Sequence, residues 1–171
     1  MLLVDAGTTE EKLIVVKDYA PRSAVARTLF GRWLLRREAR AYRLLAEVSA
    51  VPRMLGRIDS NALMIEYRPG VLLSRSLAGK VPSGFMEDLE EAVSQMHARG
   101  VVHLDLRHRS NILAGEEGAP VVIDFASALF FEPNGWLGRW LLPAFARIDL
   151  AALEKWRVRL FPPEPGTAHS S

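Results

Sequence analysis

His103-Leu104-Asp105-Leu106 and Val121-Val122-Ile123-Asp124-Phe125-Ala126, with Asn111 between them, are the stretches from which the rest of this 171-residue chain is read. Ile112 to Ala114 and Val121 to Phe125 are apolar runs that predict strands, and Gly115-Glu116-Glu117-Gly118 is a turn between them. This strand-loop-strand setting places Asp105 and Asp124 at adjacent strand ends, where their carboxylates are expected to converge. Two acids and an amide in this order fit one phosphoryl-transfer site.

Working outward, the hydrophobic fraction of 49% predicts a globular fold with a real core. There are no cysteines, which excludes disulfides and Cys-based zinc sites and fits a reducing cytoplasm. No N-terminal stretch has the order of a signal peptide, and no apolar run approaches the roughly 20 residues of a membrane span. The net charge is only +2, but seven arginines between Arg22 and Arg43 face one acid, Glu38. A basic segment of that kind suits an anionic partner. A nucleic-acid partner is not expected, because the aromatic residues that common RNA-binding modules interleave with basic ones are missing.

Leu13 to Tyr19 reads as a strand, with Leu2 to Val4 pairing across a turn at Gly7-Thr8-Thr9. Ala24 to Phe30 and Trp33 to Val48 read as two helices, the second with Leu34, Leu35, Ala39, Tyr42, Leu45 and Ala46 as its apolar stripe. Met54 to Ile58 and Ala62 to Tyr67 read as strands joined at Asp59-Ser60-Asn61, and Arg68-Pro69-Gly70 ends the second. Phe85 to Arg99 is an amphipathic helix, with Ser83 as N-cap and Gly100 as its stop. A last helix is expected after Asp149, with Leu150, Leu153, Trp156 and Leu160 inward, and 162–171 forms a loose tail. The pentapeptide Gly-Arg-Trp-Leu-Leu occurs at 31–35 and again at 138–142. Its composition suits either a membrane interface or ordinary packing, and packing is the expectation.

Phosphoryl transfer asks a protein for positioning and charge neutralisation rather than covalent chemistry. Asp105 is placed to accept or orient the proton of an attacking hydroxyl. Asp124 is placed to hold Mg²⁺ bridging the phosphates, and Asn111 offers the same region a neutral hard oxygen.

These residues resemble the protein-kinase superfamily. His103, Asp105 and Asn111 look like its catalytic loop, and Asp124-Phe125-Ala126 like its metal-binding loop, with Ala in place of Gly. Val15-Val16-Lys17 is similar to its strand lysine, and Glu38 sits where that lysine's partner is expected. Ala62 to Tyr67 resembles the hinge strand that binds adenine, so Glu66 and Tyr67 count as nucleotide-binding positions. The resemblance covers roughly residues 10 to 130, and the shortness resembles RIO-like and lipopolysaccharide-core sugar kinases more than eukaryotic-type signalling kinases. It implies an α+β, bilobal, minimal kinase-like fold with a truncated N-lobe sheet and a much reduced C-lobe. The implied single domain runs 1–161, with an N-lobe over 1–67, a hinge near 66–70 and a C-lobe over 71–161. The implied activity is ATP- and Mg²⁺-dependent transfer to a hydroxyl of protein Ser/Thr or of a lipid-linked sugar. The alternative is a nucleotide-binding pseudokinase or scaffold. The implied location is cytoplasmic, with peripheral contact to an anionic membrane as a further expectation.

Several positions depart from the family pattern. Asn111 stands six residues after Asp105 where the family has five. Either the loop bulges by one, which is the expectation, or Ser110 takes the position. Leu104 replaces an arginine, no Ala-Pro-Glu follows Asp124, and no Gly-x-Gly-x-x-Gly loop precedes Lys17. Simpler roles exist for each candidate: a solvated edge for Lys17, pairing with helix arginines for Glu38, turn caps for Asp105 and Asp124. His103 is expected to be structural rather than a general base, and His97 and His108 surface or packing residues. Asp149 has two readings of equal weight: support of the catalytic-loop backbone, as the resemblance implies, or the N-cap of the last helix.

Overall fold

The structure, a computed structural model, describes residues 2–5, 13–18, 25–59, 62–133 and 135–162. The turn expected at Gly7-Thr8-Thr9, the Ser60-Asn61 turn tip and the tail beyond 162 lie outside the described residues, as does the side chain of Lys17.

The first half of the chain builds one antiparallel sheet. β1 (Leu2–Asp5) pairs with β2 (Leu13–Asp18), which pairs with β4 (Ala62–Glu66), and β3 (Met54–Arg57) closes the order β1-β2-β4-β3. The β-branched run of β2 therefore occupies an interior position, where such residues pack best. Across it, Lys17 is in register with Leu63, which packs on Leu35 and Ala39 of α1 (Val25–Leu44).

α1 is one helix where the sequence predicts two. Gly31 does not break it, because the glycine is buried and the inward positions continue through Leu35, Glu38, Ala39 and Tyr42 at helical spacing. Leu34 and Ala46 fall off that stripe. Tyr42 meets Phe125 edge-to-face at 5.2 Å, so the helix is keyed to the loop that carries Asp124.

After Tyr67 the chain leaves the first sheet and enters a second, of order β5-β7-β8: β5 (Gly70–Leu72), β7 (Ile112–Gly115) and β8 (Pro120–Val122). Phe125, expected in a strand, lies instead in a short 3-10 turn beyond β8. α2 (Phe85–Ala98) sends Phe85, Met86, Leu89, Val93 and Met96 into the core. Its N-cap is Gly84 without a side-chain cap, not Ser83; Phe85 N–H instead donates to Pro82 O in the preceding turn. β6 (Val101–Val102) and β9 (Leu129–Phe130) form a two-stranded ladder beside it.

α3 (Trp136–Leu160) starts well before Asp149, so Asp149 is a mid-helix residue and not an N-cap. Pro143 sits within it on the exposed side, where its missing N–H leaves a carbonyl to solvent. Leu153, Trp156 and Leu160 are buried as expected, but Leu150 is exposed. The repeated pentapeptide splits in its environment. In α1, Leu35 is buried and Trp33, 48% exposed, has the Arg37 guanidinium over its ring at 4.6 Å. In α3, Trp140 is 79% exposed, so ordinary packing does not account for it. No helix among the described residues is long and apolar enough to cross a membrane.

Gly100 ends α2 with φ +75°, and a Cβ there would collide with Phe131 O, whose own N–H donates to Gly100 O at 2.7 Å. A Gly100→Ala substitution therefore meets both backbone strain and a steric block. It is expected to destabilise by about 2–3 kcal/mol, lowering the melting temperature by about 5–10 °C in a chain of this size. Calorimetry of the variant checks this; an unchanged melting temperature would contradict the packing described.

Candidate active site

Asn111 stands six positions after Asp105, and two successive tight turns span that interval. His108 N–H donates to Asp105 O at 3.2 Å, and Asn111 N–H donates to His108 O at 3.2 Å. Three residues plus three bring Asn111 back under the loop, where its Nδ2 donates to both Asp105 O and Asp105 Oδ2, each at 2.9 Å. The extra residue is thus taken up by a 3-10 turn over Arg109–Asn111. Ser110 Oγ donates to Asn111 Oδ1 at 2.9 Å and lies 2.5 Å from His108 Nδ1. Asn111 is buried, and Ser110 is the one of the two that reaches the cavity described below.

Hairpin register brings the second acid alongside. Ile112 pairs with Val122, and one step further out Ile123 N–H donates to Asn111 O at 2.9 Å. Asp124 follows immediately, in a left-handed conformation with φ 67°. Leu104, at φ 68°, is the other non-glycine residue in that region among those described. Each such residue costs on the order of 1 kcal/mol or more and persists only where its surroundings hold it.

Asp149 holds the first of them. Its buried carboxylate accepts from His103 N–H at 2.8 Å (Oδ2), from Leu104 N–H at 2.8 Å (Oδ1) and lies 3.0 Å from His97 Nε2. The loop is clamped a second time from the same helix by Trp156 Nε1–H, which donates to Leu106 O at 2.9 Å. Neither His97 nor Trp156 stood out as a site residue in the sequence. His97 lies at the end of an amphipathic helix, and only the fold reveals that α3 passes it.

His103 joins the two acidic loops. Its Nδ1 accepts from Asp105 N–H at 3.3 Å, and its Nε2–H donates to Ile123 O at 3.0 Å, which fixes the neutral tautomer. Its ring packs against Phe125 at 4.9 Å. Burial holds its pKa below the ordinary histidine value, outweighing the Ile123 carbonyl and the carboxylates of Asp149, Asp124 and Asp105. With both ring nitrogens bonded to backbone, it lacks an open position for proton transfer.

A cavity of about 420 Å³ lies between the two sheets, with Val15, Ile65, Leu113 and Ile123 on its apolar walls and Ser110 and Asp124 at its polar end. Tyr67 and Arg68 line its edge, outside both sheets. Burial pushes the Glu66 carboxyl up, but the Arg53 N–H and the Arg68 guanidinium (3.1 Å) more than offset this and hold it below the usual range. Glu38 is fully buried on α1. Asp105 opens instead onto a separate groove lined by Arg107, Arg147 and Lys155. The structure thus brings Asp105, Asn111, Asp124, His103 and Asp149 into one bonded cluster or its immediate sequence neighbours, with Glu66 and Tyr67 across the cavity.

Two outcomes follow from these contacts. Unfolded, His103 takes up a proton near pH 6.5, whereas the folded chain refuses it until lower pH. Its contribution is therefore complete above about pH 6.5 and lost as pH falls through the folded value. Urea unfolding between pH 7.5 and pH 5 checks this, with His103→Gln expected to flatten the curve. Asp149→Asn removes one acceptor from two buried N–H groups and is expected to cost about 2–3 kcal/mol, measurable in the same titration.

No family model matches the chain. It is 25% identical over 134 residues to Serine/threonine-protein kinase D of Synechocystis sp., a match that covers 74% of this chain and 26% of that protein. The crystal structure of the Rio2 kinase from Chaetomium thermophilum superposes with a TM-score of 0.67 at 16% identity, over 92% of this chain and 54% of that one. The chain therefore spans about half of the Rio2 chain and about a quarter of the Synechocystis kinase. With three small sheets and three α-helices among its described residues, the chain has a protein-kinase-like α+β fold in reduced form.

Proposed function

We propose that the chain is an ATP- and Mg²⁺-dependent phosphotransferase that acts on a hydroxyl. The observation that carries the reading is the bonded set Asp105, Asn111 and Ile123-Asp124, in which Asp124 lines an apolar cavity and Asp105 a separate groove. The cavity volume of about 420 Å³ suits a small ligand with a flat apolar part, and its edge at Tyr67 offers backbone outside either sheet. In this reading Glu66 and Tyr67 border the base, and the phosphates lie toward Asp124.

The donors fit a hard cation: a carboxylate from Asp124 and the amide oxygen of Asn111, which keeps a lone pair beyond its bond from Ser110. Bound Mg²⁺ would neutralise charge on the phosphates. Lys17, oriented by Glu38, would add a fixed positive charge there. Asp105 would orient the acceptor hydroxyl and take its proton as the phosphoryl group moves to that oxygen and the nucleoside diphosphate leaves. His103 and Asp149 act as positioning residues for that loop. The acceptor is a hydroxyl of protein Ser/Thr or of a lipid-linked sugar.

One observation favours the rival reading, a nucleotide-binding scaffold without transfer. Asn111 Nδ2 already occupies Asp105 Oδ2, and Asn111 itself does not line the cavity. Radiolabelled ATP with Mg²⁺ and cell-envelope or protein extracts separates the two. For an enzyme, Asp105→Ala is expected to cut label transfer by about 10²–10⁴-fold with nucleotide affinity kept, and Asp124→Ala to remove the Mg²⁺ dependence of binding. Nucleotide binding with no transfer into any fraction would favour the scaffold.

A further inference from the structure

The first half of α3 has a face that none of the described residues covers. Trp136 is 77% and Trp140 79% exposed, and Leu137, Leu141 and Ile148 are exposed beside them. At 3.6 residues per turn these five fall within an arc of about 140° on one side of the helix. The opposite side carries the buried positions Gly138, Ala146 and Asp149. Scattered exposed leucines are ordinary on a protein surface, but two adjacent, nearly bare tryptophans joined by three large aliphatics are a contiguous patch.

Basic residues outnumber acidic ones along this face, where Glu154 and the groove's own Asp105 are the exceptions. From Trp136 to Ile148 there are two arginines, Arg139 and Arg147, and no acid. The same arc continues into the groove that holds Asp105, where Arg147 and Ile148 are followed by Ala151 and Lys155, with Arg107 opposite. No ion pair joins Arg107, Arg139, Arg147 or Lys155 to a carboxylate among the described residues. Desolvation and the neighbouring Arg107, Arg159 and Arg75 hold the Lys155 pKa below its ordinary value, as expected where cations crowd without a counter-charge.

Tryptophan and leucine on one side of a helix, with arginine and lysine along the same arc, complement an anionic lipid surface: the rings enter the headgroup boundary and the cations meet the phosphates. We infer that the first half of α3 seats this protein on an anionic membrane surface, with the Asp105 groove opening at headgroup level. The inference stands apart from the phosphotransfer reading, because vesicle binding requires neither nucleotide nor turnover.

Flotation of the full chain with phosphatidylglycerol/phosphatidylcholine vesicles, without nucleotide, tests it. The expected result is co-flotation at low salt with a blue shift of tryptophan emission, weakened by high salt and lost on phosphatidylcholine alone. Trp136→Ser with Trp140→Ser, and separately Arg147→Glu, are each expected to weaken binding at least about tenfold while leaving the melting temperature unchanged, since all three side chains are exposed. Absence of flotation at low salt would overturn the proposal, and so would equal flotation of the tryptophan double variant. A wild-type dimer in light scattering that the double variant converts to monomer would reassign the face to a second copy of this chain.

Discussion

A single buried carboxylate organises the loop on which the candidate chemistry rests. Asp149 has no exposure, yet its two oxygens serve two consecutive backbone N–H groups and a histidine. An unmade bond to either N–H would cost the full desolvation of a buried donor. The loop therefore keeps Leu104 in a conformation that a leucine avoids, and that conformation turns Asp105 toward Asn111. His103, held between Asp105 N–H and Ile123 O, carries the constraint across to the second acidic loop. Phe125 passes it on to Tyr42 of α1. Fixed geometry of this kind is what positioning catalysis requires, because a small displacement of an orienting group forfeits much of its effect.

Most of the elements were legible from local pattern. β2 and β4 read as strands because β-branched and aliphatic residues cluster between turn residues, and α2 because its apolar residues recur at helical spacing up to a glycine. The failures lie where tertiary packing overrides a local signal. Gly31 looks like a helix boundary but is buried inside α1, and Pro143 looks like a stop but sits on the exposed side of α3. The 136–148 stretch gave no amphipathic signal in the usual sense, because it is apolar at nearly every position and Arg139 and Arg147 are its only charges.

The candidate site was readable in its sequence-local part alone. Asp105, Asn111 and Asp124 announce themselves by order and spacing, and a one-residue excess in that spacing is absorbed by two three-residue turns that no pattern rule foretells. Contacts that cross from α3 were another matter. Trp156 and His97 are 50 or so positions from what they touch, and nothing in the intervening sequence fixes that separation. Asp149 lay between the two cases: support of the loop backbone and an N-cap carried equal weight in the sequence, and the observed helix start removes the cap.

The order of these parts along the chain has a consequence for biosynthesis. Both acidic loops are complete by Ala126, but the groups that clamp the first one, Asp149 and Trp156, lie further along the chain, on α3. Domains generally fold as units during translation, N-terminal parts first. Here the first sheet and α1 can assemble early, while the loop bearing Asp105 must wait for α3, which emerges after it. A ribosome that stalls or terminates before Asp149 would release a chain that holds both acidic loops but leaves the first of them unanchored.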